Sequence, residues 1–169
     1  MKTLIITSDD IDADGFYKQF NLSFFGNIEI KVPLFKIRGG IGIEGYLKTE
    51  GYLSAGGILS VAGDIMAKKS VSVAGYVDGK DILVEGNLIS FRSITAMGKI
   101  LCERDIIAGE NIFAVGYIKA GGNIELGGNL TTFGDIEANR NIEAGGKIKT
   151  TRKVKANGVE LRSPKILRG

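Results

Sequence analysis

The chain has 169 residues, 25 of them glycine and only 2 proline, with 24% charged residues and a net charge of +3. That length suits one domain with a real core. Abundant glycine without a period of three excludes collagen, and scarce proline excludes a Pro-rich disordered chain. Cys102 is the single cysteine, so no intramolecular disulfide forms, and the sequence has no histidine and no tryptophan. No apolar run approaches the roughly 20 residues needed to cross a bilayer. The apolar stretch within Met1 to Ser8 is too short for a secretory signal. A cytoplasmic or phage-associated location is the expectation.

Residues 1–38 read as irregular N-terminal coils that cap the regular part of the chain. Five of the eight phenylalanines lie here, and with Tyr17 the ring residues Phe16, Phe20, Phe24, Phe25 and Phe35 are expected to cover the end of a repeat structure. Asp10-Ile11-Asp12-Ala13-Asp14-Gly15 matches the opening of a calcium loop. Its twelfth position is Asn21 rather than a bidentate Glu, and its ninth is Lys18. An acidic strand is therefore the preferred reading, and no metal site is expected.

From residue 39 a six-residue repeat takes over and runs to 158. An aliphatic recurs at Ile41, Leu47, Leu53, Leu59, Ile65, Val71 and Val77, then thirteen times without a miss from Ile82 through Ile100, Ile118 and Ile136 to Val154. One residue is missing between Val77 and Ile82, placed in the turn Asp78-Gly79-Lys80. Two residues after the aliphatic comes a small residue, as at Ala96, Cys102, Ala120 and Ala138, with Leu126 the exception. A spacing of two puts both on one side of a strand, so both point inward. Glycine often stands two before the aliphatic, where it permits a corner. Over the six lies a period of 18: Asn87, Asp105, Asn123 and Asn141, or Gly98, Gly116 and Gly134. Three hexads per coil make an all-β, single-stranded parallel β-helix of triangular section, which helical periodicity cannot produce. Eight to nine coils would give a rod on the order of 40 Å long. Residues 159–169 read as a basic tail. Residues 147–169 carry eight basic side chains against Glu160, a net +7, so the rest of the chain carries −4.

Left-handed hexapeptide β-helices are commonly acyltransferases with a histidine base. This chain has no histidine, and its small residue follows the aliphatic instead of preceding it, which favours a right-handed coil. Cys102 takes the slot of Ala120 and Ala138 and reads as a buried small residue. Glu125 and Glu143, 18 apart, should stack without forming a catalytic pair. Tyr46, Tyr52, Tyr76 and Tyr117 should point outward, but from different sides, which argues against one sugar-binding groove. No catalytic residue and no cofactor are expected.

The slot just after each aliphatic faces out and is mostly polar, as at Lys119, Glu125 and Glu137. Between 83 and 113 it is apolar at Leu83, Ile89, Leu101, Ile107 and Phe113. Met97, Val115 and Phe133 form a second apolar series. These eight residues are the candidate interface, since an apolar band on a soluble rod marks a contact surface; the competing reading turns Met97, Val115 and Phe133 into the core. The basic end, lacking aromatic residues, reads as a guard on an exposed strand edge rather than a nucleic-acid site.

Units such as Gly122-Asn123-Ile124-Glu125 and Gly146-Lys147-Ile148 resemble the polymer-forming bactofilins and related bacterial or phage β-helices over residues 40–158. That resemblance implies a non-enzymatic scaffold that associates with itself. The expected function is structural, with a homo-oligomer as the assembly. A binding module for polysaccharide or another acidic or cell-surface ligand is the alternative.

Overall fold

A computed structural model describes residues 1–157 and the strands Leu161–Arg162 and Lys165–Arg168. It is a parallel β-solenoid of about eight turns, with three sheets of nine, eight and nine strands. Face 1 runs from β1 (Thr3–Ile6) to Val154–Ala156. Face 2 runs from Leu34–Ile37 to Leu161–Arg162, and face 3 from β2 (Leu22–Phe24) to Lys165–Arg168. Consecutive strands step from face 1 to 2 to 3, and every strand pairs in parallel with the strand one coil away. Strands fill the sheets from Thr3–Ile6 through Asn27–Ile30 and Leu34–Ile37, so residues 1–38 form coils of the solenoid as expected, and their irregular part lies between β1 and β2. At the other end, strand structure reaches into the segment expected as a tail; residues 158–160, 163, 164 and 169 lie outside the described residues.

The hexad builds each strand directly. Three-residue strands such as Ile118–Ala120 and Ile136–Ala138 bury their first and third residues and leave the second outside. Ile118, Ile136 and the other repeat aliphatics from Leu47 to Ile148 are essentially inaccessible to water. Each contributes roughly 1.5–3 kcal/mol by burial. The small slot then makes room for its bulkier neighbours across a narrow interior. Ser90, Thr132 and Thr150 in this slot donate to a corner carbonyl of the coil before, Ser90 Oγ to Gly75 at 2.8 Å, Thr150 Oγ1 to Gly134 at 2.6 Å and Thr132 Oγ1 to Gly116, while Thr49 Oγ1 donates to Gly51 of its own coil at 3.3 Å. Cys102 follows the same rule, its Sγ 2.9 Å from the Gly86 carbonyl, and burial pushes its thiol up to about 11.

The corners are held by polar ladders. Where the residue before the aliphatic is Asn, Asp or Ser, it accepts a hydrogen bond from the backbone N–H one coil on, as Asn87 does from Asp105 (3.2 Å), Asp105 from Asn123 (2.7 Å) and Asn123 from Asn141 (3.1 Å). A second ladder runs Ser93, Asn111, Asn129, Lys147, and Asp81 caps Lys99 on the third corner. Backbone groups that the bend takes out of the sheet are thereby satisfied. The corner glycines have a different cause from the one expected. Among the described residues only Gly15 has a positive φ, of 81°. At Gly134 a Cβ would sit 2.6 Å from the Gly116 oxygen and 2.7 Å from Tyr117 N, so glycine is required by the closeness of the coils and not by unusual backbone angles.

The missing residue lies just after the place expected. Asp78 and Gly79 belong to the strand Val77–Gly79, with Gly79 buried in the small slot; the shortened corner is Lys80-Asp81 alone. Partners in this coil are 17 apart, Ile65 with Ile82, against 18 for Ile82 with Ile100. The first coil is instead longer, with Thr3 opposite Asn27. Its extra residues form the cap. The expected acidic strand is absent there: Ser8–Asp10 is a 3-10 turn, and Asp12 Oδ1 accepts the N–H groups of Asp14 (3.0 Å) and Phe16 (2.8 Å). The aspartates thus shape a turn around Gly15 rather than open a cation loop. Tyr17 N donates to Lys36 O at 2.7 Å and Lys36 N to Gly15 O at 2.8 Å, which covers the first strand of face 2. Phe35 is buried under Tyr17, and Phe16 lies beneath Arg38 and Lys36. Phe20 and Phe25 do not cover the end as expected; they are 65% and 80% exposed.

Gly134→Ala is expected to lower stability by about 1–3 kcal/mol, because backbone on the coil before cannot move aside. Gly42→Ala, at an outward strand slot with nothing within 4 Å of its Cβ, should stay within about 0.5 kcal/mol of the parent. Urea unfolding of both variants checks the contrast; equal midpoints would refute the steric account. The Cys102 thiol should resist a thiol reagent at about pH 8 in the native protein and react fully in denaturant. Rapid labelling of the native form, followed by mass spectrometry, would contradict its burial.

Candidate functional site

Outward slots are set by the same pairing that fixes the core, so each face can be read as a column of side chains one strand spacing apart, about 4.8 Å. Face 1 begins with Ile5, then Glu29 and Lys48, continues through Met66, Leu83 and Leu101, and returns to Lys119, Glu137 and Lys155. Face 2 carries Ser54, Ser72, Ile89 and Ile107, then Glu125 and Glu143 on adjacent strands, as their spacing predicts. On face 3 Phe113 stands between Thr95 and Thr131.

The eight candidate interface residues therefore divide among three faces and a corner. Leu83 with Leu101 lies on face 1, Ile89 with Ile107 on face 2, and Phe113 on face 3. Met97, Val115 and Phe133 occupy the corner between faces 3 and 1, at 66%, 41% and 56% exposure, so they do not fill the core. Phe133 meets Phe113 edge to face at 6.4 Å between ring centres. The expected single lateral band is instead a girdle: successive hexads sit on successive faces, and one flat partner cannot cover it.

Face 1 holds the longest apolar column, because Met66 joins Leu83 and Leu101. Sequence reasoning missed Met66 for an identifiable reason. The slot after Ile65 is Met66, but its neighbours in the same slot along the chain, Ser60 and Ser72, are polar; only the register, which pairs Met66 with Leu83 across a coil of 17, joins it to the apolar column. These three residues floor a groove of ≈ 330 Å³ edged by Lys48, Lys68, Glu85 and Glu103.

Charge brackets that column. Lys119 and Lys155 both approach Glu137, at 3.3 and 3.7 Å. At the other end Lys31 joins Glu29 (2.9 Å) and Glu50 (3.1 Å), and Tyr46 donates to Glu29 at 2.9 Å. Those bonds, from Lys31 first and then Tyr46, hold the Glu29 carboxyl below its ordinary value. Tyr46 is therefore engaged, whereas Tyr52, Tyr76 and Tyr117 are exposed at three different corners. No cluster of three or more metal-ligating side chains occurs among the described residues. Comparison with protein-family models, curated proteins and solved structures finds no match, so the functional reading rests on the chain's own residues.

Proposed function

We propose that the chain is a non-catalytic structural protein that assembles with copies of itself through the surfaces of its β-helix. The observation that carries this reading is the column Met66, Leu83, Leu101 on a face whose other outward residues, apart from Ile5 at its end, are charged. The fold does not need these side chains to be apolar, since Lys48 and Lys119 occupy equivalent slots on the same face. All three side chains are half-buried, and the contiguous apolar surface they still offer to water favours association; covering what remains of each contributes a part of the roughly 1.5–3 kcal/mol of a full burial. The resemblance of the Gly-Asn-Ile hexads to bactofilins points the same way. An end-to-end contact is a second mode: Asp9 to Asp14 lie at one end of the rod, and the exposed Lys147, Lys149, Arg152 and Lys153 lie toward the other. Exposed Tyr52, Tyr76 and Tyr117 favour the alternative, a polysaccharide-binding module, but their separation over three corners offers no common platform.

Light scattering over a range of concentrations at low and roughly 1 M salt, where charges are screened beyond about 3 Å, tests the proposal. A lateral apolar contact should persist in high salt and be lost in Leu83→Lys with Leu101→Lys, variants that the lysines already on face 1 show to be compatible with the strand. An end-to-end contact should dissolve in salt and ignore those changes. A monomer under every condition would overturn self-assembly and bring the binding module forward.

A further inference from the structure

Resting on the self-assembly reading, the structure assigns it a specific geometry: face 1 pairs with face 1 of a second copy, the two rods antiparallel about a two-fold axis. The argument begins from the order of side chains down that face. Reading outward from Leu83, apolar Met66 and Leu101 come first, then Lys48 and Lys119, then Glu29 and Glu137. The column is nearly the same in both directions. A two-fold interface requires one patch to complement itself, and this face is laid out for that.

Charge then selects among the possible pairings, because like charges set directly opposite one another are costly. With rods parallel, every rung meets its own copy, and Glu29, Lys48, Lys119, Glu137 and Lys155 all oppose themselves. With rods antiparallel and centred on Leu83, Lys48 meets Lys119 and Glu29 meets Glu137. Moving the axis half a rung, to lie between Leu83 and Leu101, corrects both. Leu83 then covers Leu101 of the second copy, and Met66 lies along the methylene stem of its Lys119. Lys48 opposes Glu137 and Glu29 opposes Lys155, each twice by symmetry. The opposite half-rung shift pairs Glu29 with Lys119 but leaves Lys48 against Leu101 and Glu137 against Ile5. The axis between Leu83 and Leu101 is therefore the one that gives every charge on the face, save the stem-packed Lys119, a partner of opposite sign. Its one unfavourable pairing, Glu85 against Glu103, falls at the solvent-screened corner beside the groove. Eight rungs span about 35 Å, and a three-residue strand with its corners is about 15–20 Å wide. Each copy then buries about 500–700 Å², near the lower end of specific interfaces.

Disulfide trapping tests the orientation and the register together. Cys102→Ala, which restores the residue found at slots 120 and 138, supplies a cysteine-free parent. Onto it go Lys48→Cys, Lys119→Cys and Glu137→Cys, singly. On mild oxidation the mixture of Lys48→Cys with Glu137→Cys should give a cross-linked heterodimer faster than any other pair or any single variant. Leu83→Lys should weaken dimerisation on the order of 100-fold. Cross-linking of Lys48→Cys with itself would overturn the assignment, and the same result for Glu137→Cys as well would establish parallel rods. Faster cross-linking to Lys119→Cys would overturn the register. If the parent associates in light scattering but no pair cross-links and Leu83→Lys is without effect, face 1 is the wrong surface while self-assembly stands. A parent that is monomeric throughout removes both.

Discussion

Everything in this molecule depends on how closely one coil rests on the next. Corner backbone sits on corner backbone: Gly98 N–H donates to Lys80 O at 2.8 Å, and Gly116 N–H to Gly98 O at 2.7 Å. At that separation there is no room for a Cβ at Gly134, and little for one at Gly128, where it would lie 2.5 Å from Asn111 Oδ1. The Gly-Asn pair of many hexads has its cause here. Glycine leaves a gap, and the polar side chain of the coil before uses it to reach the backbone N–H of the following residue. Strand, corner and core are satisfied together or not at all, and so the six-residue period persists through the middle of the chain.

The same constraint explains which parts of the structure were legible in the sequence. Inward slots were readable because each residue there answers to the interior; a repeat of aliphatic and small residues leaves one arrangement in which both are buried. Cys102 could be placed by analogy with Ala120 and Ala138 for that reason. The period of 18 in Asn and Asp was visible but their role was not, because a capping bond depends on where a side chain meets the next coil. Outward slots were readable as slots but not as neighbours. Successive slots along the chain lie on different faces, so Met66, between Ser60 and Ser72 in that series, joins Leu83 only through the register. The cap was least legible. Its conformation comes from local bonds to Asp12 and from Phe16 beneath Arg38 and Lys36, interactions that follow no period.

Freedom at the outward slots gives those residues their functional weight. A side chain in the second position of a strand affects neither the ladder nor the core, so Ser, Thr, Lys, Glu, Leu and Phe all occur there. Three apolar residues in succession on face 1 have no explanation in folding, and apolar surface held in water is unfavourable unless something covers it. The groove floored by these three side chains has its polar groups, Lys48, Lys68, Glu85 and Glu103, only along the edges, and none converges on the floor to orient a small ligand. This favours assembly over small-molecule recognition.

Lateral pairing would also alter what the ends of the rod can do. A single rod has the turn with Asp9, Asp10, Asp12 and Asp14 at one end, flanked by Lys18, Lys36 and Arg38, and lysines and arginines toward the other. Contacts between such ends are heterologous and have no reason to close, so single rods would grow in one sense. An antiparallel pair changes this. Each end of the pair then carries the aspartate turn of one copy beside the basic strands of the other, and the two ends of the pair are equivalent. The apolar column would set the width of the assembly and the terminal charges its growth, with salt acting mainly on the second.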